Sequence, residues 1–547
     1  MGDILEICKS TMLKFCDIEI LDSRIVHGYA AIDFTVQDMN FTIRMSCDDD
    51  STTMPFITAT DVTSSLPHFL LSEWTVGDKK FRIICLYESE HYIAHLFTVE
   101  EKVEFCIAQL FRLLNLTKSE MEHEYQKEFL YYWNRQVDND CCYNVYLEDK
   151  CAFSLLEIYS VKDKQMALLH PNVVISKQHK DKWGTPIKDK TAIFFNIENI
   201  SGIIPPHKNN TWEAANILDI VDNKQFQRIS YEAYKYITDE SYYHKSVIMV
   251  FKLKDLIFGC EIRFKNKGVA KLIDKLRNNY EELIFLDTSR CDYHYLNSQI
   301  GNDTSLVEKK VAIIGVGSLG SYIASEIIKS GVKNLHLVDS DRLEIDNLLR
   351  HRSDIGGVGY TKAVSMMVDL QKFHPEINIT FNSKQLDSDN INEVLPEAID
   401  AVIFAGIGSD AQLACNKALR DAGYTKPVLY SWLEGDGQHG HVIGINYANK
   451  GCFECLFVDS EGKKSPNKLN LSSENEVTII RNGCGGVRIA YGNSILLKTT
   501  VLVLDAFKRI TSNRFTDNFA YSVADNTFFE LQEPFHERNC ACFDDSD

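Results

Sequence analysis

No stretch of this chain approaches eighteen uninterrupted apolar residues, so no membrane-spanning helix is expected. The opening MGDILEICKSTMLKFC is acidic early and has no basic segment ahead of an apolar core, so it does not read as a secretory signal. Basic residues are scarce: 58 Lys and Arg against 77 Asp and Glu give a net charge of −19. Phosphate contact along a nucleic acid needs clustered Lys and Arg, which argues against a general nucleic-acid binder and keeps any basic pocket small. Internal repeats and low-complexity segments are absent as well.

Cysteine, by contrast, is plentiful, with 16 residues. In a chain without a signal this points to a reducing, cytoplasmic setting, where close pairs are metal ligands or reactive thiols more readily than disulfides. Most, such as Cys8, Cys16 and Cys106, read as small core residues. At 547 residues, 45% hydrophobic and 25% charged, the chain is globular and too long for one core; two to four domains are expected.

Three regions follow. Over 1–140, HGYAAIDFTV, NFTIRMSC and FRIICLYES read as strands. Thr98 to Glu101 and Thr117 to Glu120 are capping boxes that open two helices. Strands followed by helices predict an α+β unit. Over 141–289, KSVIMVFKLKDLIFGCEIRF predicts a hairpin, GVAKLIDKLRNNYEEL a helix and SGIIPPHKNN a turn-rich break, with no chemistry evident. Over 290–547, strands and helices alternate at 311–315, 321–330, 334–339, 361–374 and 400–405, which predicts an α/β fold with a doubly wound, mostly parallel sheet.

The chemistry concentrates in that last region. An apolar run ends in Gly315-Val-Gly317-Ser-Leu-Gly320, a helix follows, and Gly331 is its predicted C-cap. Such a loop lets the backbone and the helix N-terminus approach a phosphate. Asp339, 24 residues after Gly315, is placed to accept from ribose hydroxyls. Taken alone this fits NAD as well as ATP. Asn347, Arg350 and Lys362 tilt the reading: an amide, a guanidinium and an ammonium suit a site that attacks a phosphate better than one that transfers hydride.

Gly315/Gly317/Gly320, Asp339/Asp341, Asn347/Arg350 and Lys362 together reproduce the pattern G-x-G-x-x-G, D-x-D, N-x-x-R and Lys. The pattern resembles the ThiF/MoeB superfamily, the adenylating core of ubiquitin-activating enzymes. The resemblance implies ATP and Mg2+ as cofactors, attachment of AMP to the C-terminal carboxylate of a small protein, and a homodimer. It also implies an arginine ahead of the first glycine, for which Arg290 is the nearest match, and a metal-binding aspartate, for which Asp410 is the candidate although no T-D follows the strand.

The informative cysteines fall into three groups. Cys452 and Cys455 in CFEC, with Cys540 and Cys542 in NCAC, supply four thiolates for a closed, structural Zn2+ site, or else remain free thiols. Cys484 in RNGCGG precedes the helical run RIAYGNSILLKTTVLVLDAF; its place resembles the acceptor cysteine of certain activating enzymes, and a small turn residue is the alternative. Cys85 follows a strand 17 residues after His68 in LPHF, which resembles a prokaryotic ubiquitin-conjugating domain without its H-P-N tripeptide. A buried strand cysteine is the other reading, and His68 either polarises the loop or packs. His439 and His441 read as a turn feature.

The overall order resembles the fused conjugating–activating enzymes of bacterial CBASS anti-phage operons. That resemblance implies a cGAS-like nucleotidyltransferase as the activated partner and an amine as the acceptor, with no nucleic acid and no membrane. Cys484 and Cys85 would carry thioesters, and Arg350 and Lys362 would act on the phosphates. Two other functions stay open: a sulfur-carrier adenylyltransferase with a docking N-terminal domain, and a nucleotide-binding scaffold without catalysis. A dehydrogenase stands further off.

Overall fold

The computed structural model describes all residues except 1, 49–52, 62–65, 77, 88–92, 138–141, 148–151, 161–165, 170–184, 198–202, 208–210, 255, 375, 397, 460, 473–478, 482–486, 490, 513–514, 525–526, 532–534, 536–539, 541 and 543–547. Two compact units make up the described residues, one within 1–290 and the other within 291–547.

The first unit begins with a six-stranded antiparallel sheet whose strands run Glu19–Val26, Tyr29–Val36, Met39–Ser46, Phe56–Thr60, Lys79–Ile84 and Phe69–Val76 in spatial order. Two-residue turns at His27–Gly28 and Gln37–Asp38, with positive φ at all four positions, fix the registers Val26↔Tyr29 and Val36↔Met39. The helix Val99–Leu114 starts on the predicted Thr98/Glu101 capping box and buries Val103, Ile107 and Leu110 against the sheet. A second box at Thr117/Glu120 opens Lys118–Lys127, and Phe129–Asn134 continues from it.

Seven further strands close into a barrel, running Thr185–Asn196, Ser246–Leu253, Leu256–Phe264, Tyr280–Arg290, Cys142–Val145, Met166–Leu169 and Phe153–Ser160 around its wall. The expected hairpin is the Ser246–Leu253/Leu256–Phe264 pair, buried along almost its whole length. The helix expected from GVAKLIDKLRNNYEEL is shorter, Leu272–Asn278. Asn279 ends it by bonding back to Lys265 and Asn266, and Tyr280 onward pairs with the hairpin instead. Tertiary pairing there overrides helix propensity.

In the second unit the strands are β1 (Lys310–Ile314), β2 (Asn334–Val338), β3 (Asn378–Asn382), β4 (Ala401–Ala405), β5 (Val428–Leu433), β6 (His439–Ile445), β7 (Phe519–Ala524) and β8 (Thr527–Leu531). Their spatial order is 3-2-1-4-5-6-7-8. Strands β3 to β5 pair in parallel through β2, β1 and β4, and β6 to β8 are antiparallel. The helices used below are α1 (Ser318–Lys329), α2 (Lys362–Gln371), α3 (Ser409–Asp421) and α4 (Asn493–Thr511). Successive β1 side chains enter opposite cores, Val311 and Ile313 on one face and Ala312 and Ile314 on the other. A sheet buried on both faces therefore reads as an unbroken apolar run. Chain order reverses between β1 and β4, which opens a crevice at their carboxyl ends.

Candidate functional site

At that crevice β1 turns directly into α1. Gly315 has φ +86°, and a Cβ on it would lie 2.5 Å from Ile407 Cγ2 and 2.7 Å from the Ala405 carbonyl oxygen. A Cβ on Gly320 would sit 1.8 Å from the Gly315 carbonyl oxygen, so α1 can press onto the loop only without a side chain there. At Gly317 a Cβ would meet no atom within 4 Å, and this residue lines a cleft of about 730 Å3. Backbone N–H groups at the start of α1 thus face open space of a size suited to a nucleotide.

Asp339 directly follows β2 and braces this loop. One carboxylate oxygen accepts from Val316 N–H at 2.7 Å and the other from Asp341 N–H at 2.9 Å. Each oxygen keeps a lone pair for a further donor such as a ribose hydroxyl. Burial pushes the Asp339 carboxyl above its ordinary range, and the Lys362 ammonium and both N–H groups work against that. Lys362, the first residue of α2, holds Asp341 Oδ2 at 2.8 Å.

Arg350 lines the same cleft, with its guanidinium 5.8 Å from the ring of Tyr491, and its Nε is buried with no hydrogen-bond partner among the described residues. A buried, unsatisfied guanidinium nitrogen beside an N–H-lined glycine turn fits a polyphosphate. Asn347 has a local job, accepting from Glu344 N–H at 3.1 Å to close the turn that carries Arg350. Asp410 is exposed in the first turn of α3, between the cleft-lining Ser409 and Ala411. Arg290 is the last residue of its barrel strand, paired with Val145, and belongs to the first unit.

Sequence reasoning missed Lys384, Trp432, Glu434, Asn470 and Tyr491, all of which line the cleft. Lys384 follows β3, a strand not anticipated from FNSK; a lysine just past the carboxyl end of a parallel strand was the available signal. Glu434 anchors the wall beside it. Its oxygens accept from His441 Nε2 at 2.6 Å, Leu471 N–H at 2.7 Å, and the Ser472 N–H and hydroxyl at 2.8 and 2.5 Å. Burial alone would raise this carboxyl, but those four donors hold it at about 2. His439 and His441 lie on β6 rather than in the expected turn. His439 bonds Asp436 at 2.5 Å, and Glu434, in the same Glu434–Asp436–His439 cluster, already accepts from four protein donors.

The two cysteine pairs come together. Cys452, Cys455, Cys540 and Cys542 place their sulfurs within 4.8 Å of one another. Close contacts are 4.0 Å (Cys452–Cys455), 3.7 Å (Cys452–Cys540) and 3.3 Å (Cys455–Cys542). A tetrahedron of sulfurs about 2.3 Å from Zn2+ has edges of about 3.8 Å, so the set fits that ion. Cys540 as part of C-x-C reaches as readily as a C-x-x-C would. Hydrogen bonding from Cys455, Cys540 and Cys542 draws the Cys452 thiol far below its usual range. Asn416 and Arg420 also aim N–H groups at its sulfur, at 3.6 and 3.8 Å.

Cys85 follows the strand Lys79–Ile84, is partly exposed, and donates its N–H to the His68 carbonyl at 2.8 Å. The neighbouring Cys106 is fully buried, and burial pushes its thiol up to about 12. Of these two thiols only Cys85 is open to a reagent. His68 has φ +66°, a conformation costly for a residue with a Cβ. It is held there by its N–H to Tyr132 Oη at 3.0 Å and by Nε2 to Glu124 at 2.8 Å. Burial works to raise Glu124, yet the bonds from His68 and Lys127 bring its carboxyl down to about 2. Cys484 lies outside the described residues.

The second unit therefore has the sheet, glycine turn and cation set of a nucleotide-binding domain. Residues 296–542 of it match the model of the ThiF family. The relatives carry the same theme. "ATP-dependent ubiquitin transferase-like protein Cap2" of Pseudomonas aeruginosa is 23% identical over 327 residues, covering 57% of this chain and 57% of that protein. "Adenylyltransferase and sulfurtransferase MOCS3" of Dictyostelium discoideum is 32% identical over 162 residues, covering 29% and 36%. The chain thus spans little more than half the length of Cap2 and less of MOCS3. Among solved structures, Escherichia coli MccB with ATP is 18% identical, covering 43% of this chain and 66% of that one at a TM-score of 0.33. No helix among the described residues is long and apolar enough to cross a membrane.

Proposed function

We propose that this protein uses ATP to adenylate the C-terminal carboxylate of a partner protein, carries the acyl group on its own cysteines and delivers it to an amine. The observation that supports this most is the buried Nε of Arg350, without a partner among the described residues, in the cleft that also holds Gly317 and Lys362. That arrangement suits a triphosphate and the charge that grows on departing pyrophosphate. A carboxylate oxygen attacks the α-phosphorus, the bond to the β-phosphate oxygen breaks, and pyrophosphate leaves. The Cys484 thiolate then attacks the acyl carbon and AMP leaves. Cys85 exchanges with it, and an amine takes the acyl group with loss of a proton.

Bound Mg2+ would supply charge neutralisation at the phosphates, and Asp410 and Asp341, the latter paired with Lys362, are the carboxylates that would hold it. Zn2+ at the four cysteines is structural. The parts are read as a conjugating-like domain (1–140), a linker domain (141–289) and an adenylation domain (290–547), acting as a cytoplasmic homodimer. Likeness to Cap2, an "ATP-dependent ubiquitin transferase-like protein", supports transferase chemistry; a cGAS-like nucleotidyltransferase is the partner we propose. Mass spectrometry of non-reduced protein after turnover tests the relay. A partner-sized adduct should vanish in Cys484→Ala and shift to Cys484 in Cys85→Ala. Activity untouched by Cys85→Ala would support the docking-domain alternative.

A further inference from the structure

We propose that His351, as a neutral imidazole protonated on Nε2, is a positioning residue that locks the two halves of the phosphate site together and makes ATP binding weaken at acid pH. The inference rests on the adenylation reading of the cleft. The glycine turn provides N–H groups, and the segment after β2 provides Arg350. They come from separate stretches of chain, and something must fix their spacing.

His351, next to Arg350, is 5% exposed. Its Nε2 lies 2.8 Å from the Val316 carbonyl, inside the glycine turn, and its Nδ1 accepts from Ser353 N–H at 3.1 Å. An acceptor at Nδ1 leaves the proton on Nε2, so Nε2–H donates to Val316. The next residue continues the seam: Arg352 N–H donates to Ser321 Oγ, on α1, at 3.3 Å. Val316 is thereby gripped from both sides, since its own N–H donates to Asp339.

The tautomer makes this grip titratable. Burial holds the His351 imidazole below its ordinary range; Lys362 adds to that and Asp369 opposes it. Arg350 and Arg352 flank it in sequence, and Asp339 lies across Val316. Once protonated, Nδ1–H would confront Ser353 N–H, donor against donor, and the segment bearing Arg350 would shift off the turn. Glutamine offers an NH2 donor and a carbonyl acceptor in a similar reach and does not titrate.

The test is calorimetric titration of MgATP into the full chain at pH 8.0 and pH 5.5, for wild type, His351→Gln and His351→Leu. At pH 8.0 the Leu variant should bind about tenfold more weakly than wild type, and the Gln variant within about threefold of it. Between pH 8.0 and 5.5 wild type should lose more affinity than the Gln variant, by less than tenfold because burial holds the imidazole below its ordinary range; the Gln variant corrects for protonation of ATP itself. A Leu variant equal to wild type, or an acid-side loss as large in the Gln variant as in wild type, overturns the assignment. Should the Leu variant not fold, the Gln comparison decides alone. Wild type that binds no ATP at pH 8.0 overturns the adenylation reading, and this inference with it.

Discussion

The two units build their candidate sites by opposite means. In the second, a short run of backbone does the work: Gly315, Gly317 and Gly320 shape a turn at the carboxyl edge of a parallel sheet, and Asp339 ties the Val316 N–H down. In the first, one residue with a Cβ, His68, sits at φ +66° beside Cys85 and is held there by Glu124 and Tyr132, 56 and 64 positions away. A local backbone device tolerates almost no side chain at its glycines. A clamp of distant side chains can lose one member and keep the rest.

The contrast breaks most sharply at Gly320. Gly320→Ala would set a Cβ against the Gly315 carbonyl, so ATP binding should be lost beyond about a hundredfold, read by titration, with a lowered melting temperature. Gly317→Ala meets nothing within 4 Å, so the protein should melt as wild type does while ATP binding still falls, because the methyl enters the cleft. If both variants behave alike, the turn is structural only.

Next in size is the metal. Cys452→Ser should remove about one zinc per chain, measured by elemental analysis, and destabilise the second unit by several kcal/mol. Unchanged metal content together with an unchanged melting temperature would leave the four cysteines as free thiols.

The side-chain clamp should yield less. Glu124 has a folded-state pKa near 2, below its unfolded value, so its contribution is present above about pH 4.5 and lost as pH falls toward 2. Glu124→Gln should cost the first unit about 2 kcal/mol at pH 7, read by urea unfolding, with the difference fading at acid pH. It should also change the alkylation rate of Cys85 by iodoacetamide, since His68 positions that residue's backbone. The smallest effect has the opposite sign. Burial raises Glu376 to about 7, so its stabilising contribution is full below about pH 4.5 and is lost as pH rises through 7. Glu376→Gln keeps an acceptor for Tyr293 N–H and should stabilise the second unit by about 1–2 kcal/mol at pH 8, and by almost nothing at pH 4.

The same contrast governs what the sequence discloses. The glycine turn, Asp339, Arg350 and Lys362 are legible because their spacing along the chain is their spacing in space, within one strand–turn–helix unit and the next. The capping boxes at Thr98 and Thr117 are legible for the same reason. Lys384, Glu434, Asn470 and Tyr491 reach the cleft from four later segments, and only the strand order brings them there. His439 and His441 look like a turn because Gly437 and Gly440 surround them, yet pairing of β6 with β5 and β7 draws them into the sheet. The run from Arg488 similarly divides, a short strand to Ile489 and α4 only after Gly492. The barrel went unseen because closure depends on the partners of Thr185–Asn196, on strands far apart in sequence.

The most direct test of the central claim is exchange of labelled pyrophosphate into ATP, in the presence of a candidate partner with its C-terminus intact or with its final residues removed. The account predicts exchange that requires the intact C-terminus, falls at least a hundredfold in Arg350→Ala and persists in Cys484→Ala, since adenylation precedes thiol transfer. Exchange indifferent to the partner's C-terminus, or equal in Arg350→Ala and wild type, would contradict it.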